Sequence, residues 1–279
     1  MRTIDAHQHF WMYDSVRDSW IGENMEVLKR NFLPGDIAPV LTTNGVDGCV
    51  AVQANETETE TSFLLDLAGK NDFIKGVVGW TDLEAPDLET KLSTYRGFSK
   101  LKGFRHMLQS EARRDSMLQP AFVNGIRLLQ EYGFTYDLII LPDQLPFAIK
   151  LAEKFPEMRF VIDHLAKPAI SSGETSAWET GLRKLSELKN VYCKISGLVT
   201  QANWHSWKKE DLYPCLDVAV ETFGTDRLMY GSDWPVCLLA AEYSEVKGIT
   251  DEYFSSFSED ERLGFYSLNA AEFYSIPSV

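Results

Sequence analysis

Eight short runs of apolar and β-branched residues recur along the chain, with longer amphipathic stretches between most of them. The runs are Thr3–His7, Gly48–Gln53, Ile74–Trp80, Leu101–Met107, Thr135–Ile140, Arg159–His164, Val191–Ser196 and Leu228–Asp233. Helical periodicity separates them at Thr59–Lys70, Met117–Tyr132, Leu145–Phe155, Ala177–Leu188 and Leu212–Phe223. Strands alternating with helices predict parallel βα units, because two parallel strands need a crossover element between them. Several runs are apolar throughout, as expected of strands covered on both faces. Eight units in 279 residues fit one α/β domain, a (β/α)8 TIM barrel spanning residues 1–279. No GxGxxG follows the first run, which argues against an open doubly wound sheet. No repeat, low-complexity tract or linker divides the chain. Trp11–Gly35 and Gly197–Tyr213 are long connections, and in such a barrel they would overhang the active-site face.

Composition narrows the class of partner. A net charge of −14 and a pI near 4.8 exclude nucleic acid or an anionic membrane as the main one. Cys49, Cys193, Cys215 and Cys237 are scattered without a CxxC pair, so reduced thiols in a cytoplasm are expected rather than a disulfide framework or a zinc knuckle. The chain enters its first strand at Ile4, which leaves no room for a signal peptide, and no apolar run reaches membrane-spanning length. A small-molecule substrate is therefore expected, and a homo-oligomer is compatible with this composition.

Catalytic groups of a barrel sit at the C-terminal ends of its strands, and that rule sorts the polar residues. The first run ends in His7 and His9, the fourth in Arg105 and His106, the sixth in Asp163 and His164, and the eighth in Asp233. The seventh contributes Lys194 and Ser196. Four of the five histidines fall at strand ends, with only His205 elsewhere. His7 and His9, two apart, face one side of a strand and suit a divalent metal or one substrate. Asp233 suits a general base, or else caps a following helix. His164 is a further ligand, or a buried histidine held by Asp163. Arg105 meets either a substrate carbonyl or anion, or Asp163 or Glu111 in a salt bridge. Lys167 and Lys194 carry the same ambiguity. His106, Lys194, Trp11 and Trp204 are the expected substrate contacts, and Trp207 is a further candidate for stacking.

The segments Asp5–Trp11 (DAHQHFW), Gly103–His106 (GFRH), Asp163–Pro168 (DHLAKP), Lys194–Leu198 (KISGL) and Phe223–Val236 (FGTDRLMYGSDWPV) together resemble the amidohydrolase superfamily. The likeness is to the amidohydrolase-2 type lactonases, which open sugar-acid lactones, and it runs from Thr3 to about Phe273. It implies a hydrolase with His7, His9, His164 and Asp233 as a metal site, Asp233 as the strand-eight base, and Arg105 as a contact to the substrate carbonyl. His164 joins Asp233 and Arg105 in the catalytic set. Many members hold two metals through a Lys or Glu on strand four and a His on strand five. Arg105, His106 and Asp137 stand there instead, so one ion is implied, zinc first, with a metal-independent enzyme as the other outcome. The resemblance implies an aldonolactone of the L-fucono type as substrate, within carbohydrate metabolism. The alternatives are a carboxylated or aromatic-derived lactone, favoured by Arg105, Lys167 and Lys194, and a metal-dependent decarboxylase of the same superfamily.

Overall fold

Eight parallel strands follow one another around a barrel in chain order: β1 (Ile4–Gln8), β2 (Gly48–Val52), β3 (Ile74–Gly79), β4 (Leu101–His106), β5 (Thr135–Leu138), β6 (Phe160–Ile162), β7 (Val191–Ile195) and β8 (Leu228–Tyr230). This computed structural model describes residues 3–277, so residues 1, 2, 278 and 279 of the expected domain lie outside the described residues. The ring closes just beyond β8. There the Asp233 N–H donates to the His7 carbonyl at 2.8 Å, and the His9 N–H donates to that of Trp234 at 2.7 Å. Closure therefore sets the two ends of the chain's polar pattern side by side.

Helices α1 (Pro34–Thr43), α2 (Glu58–Lys70), α3 (Leu88–Tyr95), α4 (Pro120–Tyr132), α5 (Leu145–Lys154) and α6 (Ser176–Ser186) follow β1 to β6 in turn. A short α7 (Leu198–Gln201) and the longer α8 (Lys209–Phe223) follow β7, and α9 (Tyr243–Tyr253) follows β8. The expected helices are all present. Helix α4 begins at Pro120 rather than Met117, because proline is pre-set for the first turn and its missing N–H costs nothing there. It stops at Gly133, whose φ of +78° suits a left-handed cap. Helices α1, α3 and α9 carried no clear signal. Helix α1 has Pro39 in its interior and two threonines at its end, and α3 has only Leu88 and Leu92 buried.

Two apolar layers hold the barrel. Phe104, Tyr136, Leu138, Phe160, Ile162 and Tyr230 point outward into the layer beneath the helices. Ile4, Ala6, Val50, Val52, Val78, Val161 and Met229 fill the lower interior, closed from below by Phe273 and Tyr274. Each such aliphatic side chain contributes roughly 1.5–3 kcal/mol by leaving water. Strand β1 needs one extra device. Between Asp5 and Gln8 it sets three residues against two on β2, since Asp5 pairs with Cys49 and Gln8 with Ala51. The extra residue is a bulge that changes the alternation. Ile4 and Ala6 can therefore fill the core while His7 and His9, one step out of phase, also reach the interior above it.

Candidate active site

The four expected metal ligands meet at the top of the barrel. His7, His164 and Asp233 each place one donor atom within 4.8 Å of the others. His7 Nε2 and His164 Nε2 both lie 3.8 Å from Asp233 Oδ1. His9 Nε2 lies 3.4 Å from that oxygen and 3.2 Å from His7 Nε2. A tetrahedral zinc with bonds of about 2.0–2.1 Å would separate its ligand atoms by roughly 3.4 Å. Asp233 Oδ1 is buried and has no hydrogen-bond partner among the described residues. A buried carboxylate oxygen left without a partner is costly unless a cation or a substrate group meets it. The spacing of His7, His164 and Asp233 fits a single divalent ion, with His9 beside the same carboxylate oxygen.

Protonation agrees with ligation. Among the described residues, His9 Nδ1 meets the Val52 carbonyl at 2.8 Å and so donates to it, which turns Nε2 toward the cluster. Ser196 Oγ engages His164 Nδ1 at 2.8 Å, again leaving Nε2 toward the cluster. Burial lowers the His164 pKa to about 4 and holds His7 well below its usual value, so both rings are neutral at pH 7. Burial opposes ionisation of Asp233, while the surrounding His164, His9 and His7 pull its pKa below the usual carboxylate range.

Backbone conformation aims two of these groups. Strand β6 ends at Ile162, and His164, Leu165, Ala166 and Lys167 take positive φ values of 53–56°. Side chains with a Cβ avoid this region, at roughly 1–2 kcal/mol per residue. His164 therefore leaves the strand rather than ending it. Asp163 Oδ1 comes within 3.2 Å of His7 Nδ1, fixing that ring from behind. Asp233 also takes a positive φ, at 59°, beyond the end of β8, and so is not a helix cap. Gly197 completes the wall. A Cβ there would stand 2.6 Å from His164 Nδ1, and its φ is +64°. Only glycine satisfies both conditions.

The cations are placed differently from expectation. Lys194 is a correction: it contacts no substrate space. Its ammonium is fully buried beneath His7, 2.6 Å from Asp137 Oδ2, 3.0 Å from Asp163 Oδ1 and 3.1 Å from His7 Nδ1. Strand parity explains this, since Lys194 lies one turn of the pleat below the rim position of Ser196. Arg105 reaches the cavity wall, but one amine is held by Asp163 Oδ2 at 2.9 Å and the other by the Gln53 carbonyl. His106 is the second correction. It follows Arg105 on the strand, faces away from the cavity, and is clamped between Glu56 at 3.0 Å and Glu111 at 2.9 Å.

A cavity of about 230 Å³ opens above the cluster. His9, His164, Lys167 and Asp233 line it beside Arg105, together with Trp11, Trp20, Met25, Gln201 and Trp204. Trp11 and Trp204 thus both line the cavity. Trp207 does not line it, since its indole N–H donates to the Ala240 carbonyl at 2.8 Å and packs a loop. The long first loop is tied down at Asp18, which accepts from Asn55 at 3.0 Å. Sequence reading gave no role to Gln53 or Gly197, although Gln53 obeys the strand-end rule. It also missed Asp5, which accepts from the Ser232 N–H at 2.9 Å and the Tyr243 hydroxyl at 3.0 Å, beside Asp233. Only the parity imposed by the bulge could have found it.

The fold and this cluster define a (β/α)8 enzyme scaffold of the kind that carries hydrolytic metal sites. The chain belongs to the amidohydrolase family, whose model matches residues 4–276. It is 40% identical to an L-fucono-1,5-lactonase of Burkholderia multivorans, across 98% of this chain and 96% of that protein. It is 35% identical to an L-fucono-1,5-lactonase of Burkholderia ambifaria, across 98% and 95%. The crystal structure of an amidohydrolase from Burkholderia multivorans with bound zinc superposes with a TM-score of 0.96 at 40% identity, covering 99% of this chain and 100% of that one.

Proposed function

We propose that the protein hydrolyses the ring ester of a sugar-acid lactone of the L-fucono type, in cytoplasmic carbohydrate metabolism. The observation that carries this reading is the convergence of three imidazole nitrogens on one unpartnered carboxylate oxygen, at 3.4–3.8 Å, on the floor of a cavity sized for one sugar ring. The lactonase relatives support the substrate class. His7, His9, His164 and Asp233 would hold one divalent ion, zinc by the chemistry of the donors and the zinc-bound relative. Such an ion supplies an acidified water and polarisation of the ester carbonyl.

Asp233 takes one proton from the water whose oxygen adds to the carbonyl carbon. The ring C–O bond then breaks, and Asp233 returns that proton to the departing alkoxide. Net addition of water gives the open hydroxy acid, which releases a proton to solvent. His164 and His7, neutral through burial, stay free of protons and hold the water and Asp233 in line. Arg105 offers its positive field to the carbonyl oxygen from the wall. Trp11 and Trp204 flank the ring faces, and Gln201 meets ring hydroxyls. Of the cations that favoured a carboxylated lactone, Arg105 is neutralised by Asp163 and Lys194 by Asp137.

A screen of fucono-, rhamnono-, galactono- and arabinono-lactones, read by proton release, tests the reading. We expect L-fucono-1,5-lactone to be opened fastest, with kcat/KM of at least about 10⁴ M⁻¹s⁻¹. Acid release from none of the four would reject a lactonase, and carbon dioxide release from a hydroxybenzoate would put a decarboxylase in its place.

A further inference from the structure

The left-handed turn after β6 does more than aim His164. His164 and Lys167, three residues apart on this turn, both line the cavity. Leu165 and Ala166 point the other way and are fully buried, which locks the turn against the core. The Lys167 N–H donates to the His164 carbonyl at 2.8 Å, and the Trp178 indole donates to that of Leu165 at 2.5 Å. Four consecutive unfavourable φ values are thus maintained by packing, and what they deliver to the cavity is one imidazole and one ammonium.

Two basic side chains line this cavity, Arg105 and Lys167. Arg105 is committed to Asp163 and Gln53. Among the described residues, no carboxylate lies within 4.0 Å of the Lys167 ammonium and no hydrogen bond occupies it, although 22 such contacts meet other Lys, Arg or His side chains. What sets Lys167 apart from other unpaired lysines is its place, lining the cavity beside the Asp233 carboxylate. We propose that Lys167 is the substrate-contacting cation of this site: its ammonium donates to the lactone's ester oxygen as charge builds there and then holds the carboxylate of the opened product. The inference rests on the lactonase reading and adds the residue that discriminates the acid product from a neutral sugar.

The test compares wild type with Lys167→Met and Lys167→Asn. Methionine keeps the length of the side chain, and asparagine tolerates a left-handed backbone, so at least one variant preserves the turn, which thermal melting verifies. We expect kcat for lactone opening to fall about 10- to 100-fold with KM changed by less, as for loss of a charge-assisted hydrogen bond. Inhibition by the open aldonate should weaken at least about tenfold in both variants, while inhibition by the corresponding neutral alditol stays within about twofold. Lys167→Arg should recover part of the aldonate affinity. A folded variant with wild-type kcat and wild-type aldonate affinity overturns the proposal. If wild type opens no lactone, the functional reading fails, and the aldonate comparison still decides whether Lys167 binds a carboxylate.

Discussion

In the Asp233→Asn enzyme, lactone hydrolysis falls at least about a thousandfold while the melting temperature stays within a few degrees of wild type. The rate term has two parts. General acid–base catalysis by a positioned side chain contributes about 10²–10⁴-fold, and the amide can neither accept the water proton nor return it. The amide also removes the negative donor from a cluster whose other members are imidazoles. Stability changes little for three reasons. Asparagine is among the few residues that tolerate the φ of +59° found here. Asp233 Oδ1 has no hydrogen bond to lose. The backbone bond from Asp233 N–H to the His7 carbonyl, which closes the barrel, does not involve the side chain. Steady-state kinetics with a thermal melt checks both halves, and a rate within about tenfold of wild type removes Asp233 from the chemistry.

Lys194→Met is expected to have the largest effect on stability, about 3–5 kcal/mol of destabilisation. Below the active site, Arg105 and Lys194 balance Asp137 and Asp163 in a fully enclosed network. Removing Lys194 leaves Asp137 with the Tyr274 hydroxyl at 2.8 Å as its remaining partner. Burial already raises the Asp137 pKa to about 6 with Lys194 in place. Without the ammonium that carboxyl would fold protonated, which limits the loss without abolishing it. A double-mutant cycle with Asp137→Asn isolates the pair: the double variant should lose clearly less than the sum of the two single ones. Denaturant unfolding reads all four proteins, and strictly additive losses would mean that the two side chains are not coupled.

Much of this was readable because barrel architecture converts chain order into position. Runs ending in His7, Arg105, His164 and Asp233 had to meet on one face once eight βα units were recognised, and they do. What could not be read was depth and direction. Lys194 and Ser196 have the same parity on one run, yet one residue pair along the strand separates a buried counter-ion from a group touching His164. His106 sits beside Arg105 in sequence and on the other side of the sheet, where Glu56 and Glu111 capture it. Most elusive was the backbone. Nothing in Asp163–Pro168 announces four left-handed residues, because no glycine marks them, and only tertiary packing of Leu165 and Ala166 holds them. The bulge in β1 is similar: alternation within Ile4–Gln8 favours either Ala6 or His7 inside, and the inserted residue admits both.

The central claim is that His7, His9, His164 and Asp233 form one site for a single divalent cation. Calorimetric titration of zinc into chelator-stripped protein tests it most directly, with His9→Asn beside wild type. We predict one zinc per wild-type chain, and affinity in the variant reduced by at least the roughly 100-fold that loss of even an outer partner of a ligand can cause. Stripped wild-type protein that takes up no zinc, or a variant that binds it as tightly, would contradict the account.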